Sequence, residues 1–316
     1  MAAFPHHQPH YVPPALHERK LRTYPRWLGI AILLVIATTF ALNHVAARVA
    51  FDHGTSVVTG VVFRSGGTAL ALLAMLFILR TPIRLPALTT RRALVIGALI
   101  ALQSYCLYAS VARLPVALAL LTFNIYPMVY TLMTWAAGVE RFSPRALVAM
   151  VVALFGLALA LDITHTGAAL ADRWTEIGVG VVFATGASLV FGLVLFLNAR
   201  WLHGVDGRVR SLLTMASCGV VALAGATATG ALALPHDGTG WLGLSLLTLF
   251  YGSAITAFFV ILPHMRAASD VTVLNFEPVA LVFLGWAILG QSLAATQIAG
   301  AVVVVGAIVA LGMAKR

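Results

Sequence analysis

The chain has 316 residues, 61% of them hydrophobic and only 9% charged, with a mean hydropathy of +0.98. Soluble domains carry about 25% charged residues, so this composition excludes a soluble globular protein. The net charge of +10 does not point to nucleic acid, because the charges stand in short connectors between apolar runs, as they do in membrane proteins.

Residues 1–26 are polar and rich in His and Pro, and read as a disordered cytoplasmic tail. A signal peptide is not expected, since the first apolar run continues for about 24 residues, too long for a signal core. His6-His7-Gln8-Pro9-His10 carries metal-binding residue types but belongs to this tail, and neither a metal nor a cofactor is expected.

Crossing hydrocarbon takes roughly 17–25 apolar residues. The first half supplies five such runs: Trp27–Ala50, Val57–Leu79, Ala93–Val111, Val116–Ala137 and Pro144–Leu161. After the polar connector Asp162–Glu176 come five more: Ile177–Leu197, Ser211–Leu232, Leu242–Leu262, Val271–Leu289 and Ala295–Met313. The expected fold is an all-α integral membrane protein of ten transmembrane helices, built as two five-helix units over 27–162 and 177–313.

The two units share a pattern. Asn124-Ile-Tyr-Pro127 and Asn275-Phe-Glu-Pro278 are separated by 151 residues, and the same shift places Trp135 on Trp286 and Glu140 on Gln291. A proline within a helix removes one N–H and crowds the carbonyl four residues back. Pro127 and Pro278 are therefore expected to bend the fourth and ninth helices. An odd number of helices per unit makes the repeat inverted, with a site near the membrane midplane between the halves.

Sixteen of the 20 Lys and Arg residues fall on one side of this topology and only Arg48, Arg113 and Arg173 on the other, with Arg64 inside a helix. The bias predicts that both termini are cytoplasmic. Cys106 and Cys218 both lie in apolar runs, so they read as small core residues rather than a disulfide.

Only Arg64 and Glu277 are formally charged deep within the expected helices, where each costs about 2.5–3.5 kcal/mol to insert. Glu277 is placed to carry a proton or to hold an ammonium group, and an Arg64–Glu277 pair is the structural alternative. Neighbours two apart on a helix differ by about 200°. Asn275 and Glu277, like Asn124 and Tyr126, therefore cannot both face one cavity. Asn43, His44, Gln103, Tyr105 and Tyr251 complete the candidate set for binding or coupling; interhelical hydrogen bonding is the alternative role for each. Ala153, Gly156, Gly300 and Gly306 read as close-packing positions. Trp135, Trp241 and Trp286 read as anchors at the membrane interface.

At Tyr126-Pro127 into Gly138-Val139-Glu140-Arg141-Phe142-Ser143-Pro144, at Glu277-Pro278 into Leu289-Gly290-Gln291-Ser292-Leu293, and at Phe63-Arg64, the chain resembles the EamA-domain branch of the drug/metabolite transporter superfamily. The resemblance covers residues 27 to 313; Gln291 departs from it, where the family usually has an acid. It implies a multi-pass bacterial inner-membrane exporter or exchanger of small organic metabolites such as amino acids or drugs, with protons as candidate coupling ions and no catalytic residues. No Gly-rich phosphate loop with Lys and Ser/Thr occurs, which argues against ATP-driven transport by this chain. The alternatives are a sugar-phosphate or nucleotide-sugar carrier, an intramembrane enzyme and a non-transporting scaffold.

Overall fold

The computed structural model describes residues 25–81, 83, 85–111, 113, 116–141, 143–161, 174–265, 268–289 and 294–313. The tail 1–24, residues 162–173 of the connector, Arg266, Gln291 and Lys315 lie outside the described residues.

The first half comprises α1 (Arg26–Asp52), α2 (Val57–Ile78), α3 (Ala87–Val111), α4 (Val116–Phe123), α5 (Tyr126–Ala136) and α6 (Pro144–Ala160). The second comprises α7 (Trp174–Trp201), α8 (Gly207–Thr229), α9 (Gly238–Ile261), two 3-10 segments (Leu262–His264 and Ala268–Asn275), α10 (Phe276–Leu289) and α11 (Ala295–Met313). Local chemistry sets several of these ends. Ser56, Ser143, Asp206 and Asp237 each accept a backbone N–H of the first turn they precede, and Gly230 closes α8 in the left-handed conformation at φ 64°.

Among the described residues six helices are long and apolar enough to cross a membrane: Trp27–Asp52, Val57–Ile78, Ala87–Ser110, Ile177–Trp201, Gly207–Thr229 and Gly238–Ile261. Two further apolar helices, Pro144–Ala160 and Ala295–Ala310, are shorter. Large hydrophobic side chains cover the outside, among them Phe77, Phe155, Val182 and Val302. In water such a surface would associate; in lipid it is matched. The chain is a membrane-embedded protein.

The fourth and ninth expected spans differ from the sequence reading. Val116–Ala137 is not one bent helix but two, α4 and α5, parted at Asn124-Ile125. Val271–Leu289 likewise begins as a 3-10 segment and changes to α-helix after Asn275. Pro127 and Pro278 stand in the first turn of α5 and α10, where an absent N–H costs nothing, so they start helices rather than bend them. Asn124 ends α4 by donating Nδ2–H to the Leu120 carbonyl at 2.8 Å.

Packing across the halves follows the 151-residue shift. Extensive contacts join α1 with α9 and α3 with α7, a pair that exchange of the halves maps onto each other. The α6–α11 and α2–α8 contacts map onto themselves, and α3–α8 maps onto α2–α9. At α6–α11 the backbones touch: a Cβ added at Gly300 would overlap Ala160 N and lie 2.5 Å from Gly156 O. Gly306 has open space where its Cβ would be, so it is not a close-packing position as expected.

The two ends of the bundle differ. At one end the α1–α2 loop is laced to the α8–α9 loop: Ser56 N–H donates to Ala233 O (3.1 Å), His236 N–H to His53 O (3.0 Å) and Ser56 Oγ–H to Ala231 O (2.7 Å). Ala233 N–H donates to Thr59 Oγ1 (3.1 Å), and His53 Nδ1 meets Asp237 Oδ2 at 2.6 Å. The loops that the shift makes equivalent at the other end, 202–206 and 79–86, share no hydrogen bond among their described residues.

Candidate functional site

A cavity opens between the halves, with ≈ 690 Å³ of empty space counted out to its open mouth. Its polar wall is Asn43 and His44 of α1, Arg64 of α2, and Gln103, Ser104 and Tyr108 of α3. Tyr126, Tyr251 and Glu277 face these from α5, α9 and α10. The rest of the lining is largely aromatic, including Phe40, Phe123, Phe191 and Phe258. Phe191 packs edge-on against Tyr126 at 4.8 Å between ring centroids, and Phe123 lies beside both.

The expected alternation along the broken helices is visible here. Tyr126 and Glu277 line the cavity, whereas Asn124 and Asn275 are buried outside it. Asn124 serves the end of α4, and Asn275 Oδ1 is buried without a partner.

Glu277 and Arg64 do not pair. His44 Nε2 lies 2.7 Å from Glu277 Oε1, with the two side chains 32% and 19% exposed, so the cavity's carboxylate is held by an imidazole from α1. A buried charge needs a partner, which made Arg64 the structural alternative for Glu277. Histidine 44 supplies one that costs less to bury, since it can be neutral.

Arg64 is held by neutral groups instead. Its Nη2 donates to Ser104 Oγ at 2.7 Å and its Nη1 to Tyr108 Oη at 3.2 Å. The guanidinium lies over the Tyr251 ring, 4.1 Å from its centroid. Its Nε–H is buried with no acceptor.

Tyr105 does not belong to the site. It is 65% exposed and packs edge-on against Phe183 on the outside of the bundle, because in α3 it lies about 100° from Ser104. Trp135 and Trp286 are half exposed at the ends of α5 and α10. A second, smaller hollow, lined by Trp135, Glu140 and Arg141 near the start of α6, shares no lining residue with the first.

Two buried charged residues escaped the sequence reading. Arg210 is 1% exposed, donates to Asn198 Oδ1 at 2.8 Å and to the Phe259 carbonyl, and so ties α7, α8 and α9 together. Counting apolar runs began this helix at Ser211; the signal that moves it back is Asp206, whose carboxylate caps the turn starting at Gly207. Asp270 is also buried, within the 3-10 segment before Asn275. Among the described residues no group of His, Cys, Asp and Glu has metal-ligand geometry.

No protein-family profile and no curated protein matches the chain. Solved structures do: one crystal structure, of a protein described without a function, superposes with a TM-score of 0.72 over 90% of this chain and 97% of its own at 17% identity. At that identity the likeness carries the fold alone.

Proposed function

We propose that the chain is a secondary transporter of small organic solutes, an exporter or exchanger of the drug/metabolite transporter type, working by alternating access. The observation that carries this reading is the cavity itself. It lies between two halves related by the 151-residue shift and is walled by the broken helices of both, and its one carboxylate is bound to an imidazole. Irregular backbone at membrane depth is tolerated where it lines a cavity or is covered by protein.

In this account the chain makes ten membrane passes as two inverted five-helix repeats, in a bacterial inner membrane with both termini cytoplasmic. The structural support is that Arg80, Arg91, Arg92, Arg200 and Arg208 gather at one end, with Arg92 over the Trp201 ring. The laced loops at the opposite end and the unlaced equivalents suit a state closed on one side, and exchange of the lacing would give the other state. An intramembrane enzyme is disfavoured because, among the described residues, the lining offers one acid, Glu277, and no second acid.

The reading is tested by uptake and efflux in proteoliposomes against amino acids, amines and hydrophobic drugs, with and without a pH gradient. Saturable flux above protein-free vesicles supports it. Its absence across the panel, with correctly inserted protein, would favour a scaffold.

A further inference from the structure

We infer that Arg64 is the recognition point for a ligand bearing one acidic group, so that the solute is an organic anion or zwitterion with an apolar, ring-compatible body. The inference deepens the transporter reading and rests on it for the word solute, though not for binding.

A guanidinium at membrane depth needs a counter-charge or a cavity. Among the described residues Arg64 has no carboxylate partner: its hydrogen bonds go to Ser104 and Tyr108, and the face of Tyr251 covers its plane. These neutral contacts fix the orientation of the fork without discharging it. The residue is only 7% exposed, it lines the cavity, and its Nε–H meets no acceptor. An Arg fork fixed in this way is the donor geometry that a carboxylate accepts in two parallel hydrogen bonds.

The cavity also limits the charge. Glu277 lines the same space, so a dianion would gain one cation and meet one carboxylate; a single acid on Arg64, with Glu277 already held by His44, avoids that conflict. Asn43 Oδ1, next to His44 and likewise buried without a partner, is the acceptor for an N–H or O–H elsewhere on the ligand. The aromatic wall of Phe40, Phe123, Phe191 and Phe258 suits a flat or apolar body rather than a polyol.

Three probes of one shape isolate the acid: 3-phenylpropanoate, its amide, and 3-phenylpropylamine. Binding is measured by calorimetry and thermal shift on the full chain in detergent, so the result does not depend on flux. The carboxylate is expected to bind the wild-type protein at least about tenfold more tightly than the amide, as a charge-assisted hydrogen bond outweighs a neutral one. Arg64→Gln should erase the difference and Arg64→Lys should restore part of it. Equal binding of acid and amide, preference for the amine, or no binding of the acid would each overturn the inference, even if Arg64→Gln fails to fold. Binding of the acid without transport would instead count against the transporter reading and leave this one standing.

Discussion

His44 and Glu277 are 233 positions apart in sequence and touch at 2.7 Å, one on α1 and the other on α10. The contact bridges the two halves through the wall of the cavity. For the proposed transporter, this pair is the candidate site of proton coupling.

The first prediction concerns the strength of the bridge. The pair is neither fully buried nor fully exposed, so its loss lies between the values for surface and buried pairs. His44→Ala is expected to cost about 1–3 kcal/mol by leaving a partly desolvated carboxylate alone. Adding Glu277→Ala should cost less than the sum of the two single changes. A double-mutant cycle by thermal unfolding in detergent measures this; strict additivity would mean the contact contributes nothing.

At α6–α11 the packing separates two glycines that look alike in sequence. Gly300→Val pushes a side chain into the backbone of Ala160 and Gly156 and is expected to cost about 1–3 kcal/mol or more. Gly306→Val meets nothing within 4 Å and should leave stability unchanged. Folded yield by size-exclusion chromatography, followed by the unfolding temperature, distinguishes the two. Equal tolerance at both positions would contradict the observed approach of the helices.

At the laced end, Asp237 caps α9 through Gly240 N–H at 2.8 Å and also accepts from His53. The Gly240 bond, then His53, holds its carboxyl below the ordinary value of 3.8. A depressed acid stabilises the fold while ionised, so this contribution is complete at neutral pH and fades as pH falls through and below about 4. The unfolding temperature of Asp237→Ala should therefore lie below that of the wild type at neutral pH and the gap should narrow as pH falls below the ordinary carboxylate range. A gap that stays constant through acid would show that the carboxylate's charge is not what matters.

How much of this was legible beforehand depended on the kind of signal. Apolar runs marked the six described helices long enough to cross a membrane, because in hydrocarbon the run itself is the physical requirement. The paired Asn-x-x-Pro motifs marked where regular helix fails, but not how. Whether a proline bends a helix or starts one depends on the capping just before it, and Asn124's bond to the Leu120 carbonyl four residues back is one of several local bonds an Asn side chain can make. The partner of Glu277 was not legible either: sequence distance gives no register between α1 and α10, and the search for a counter-charge led to Arg64. Tyr105 was misplaced for the same reason, since α3 carries polar residues on adjacent faces and only packing shows which one looks inward. Arg210 was missed because runs of apolar residues undercount a helix whose first turn is polar.

The most direct measurement is proton-gradient-driven flux in proteoliposomes of Glu277→Gln beside the wild type, with equal amounts of inserted, folded protein. The change keeps shape and a hydrogen bond to His44 while removing the one carboxylate that the described residues give the cavity lining. The account predicts that gradient-driven flux is lost; if the carboxylate serves only the proton, exchange of substrate across the membrane survives. Normal gradient-driven flux at every pH tested would contradict it and return Glu277 to a purely structural role.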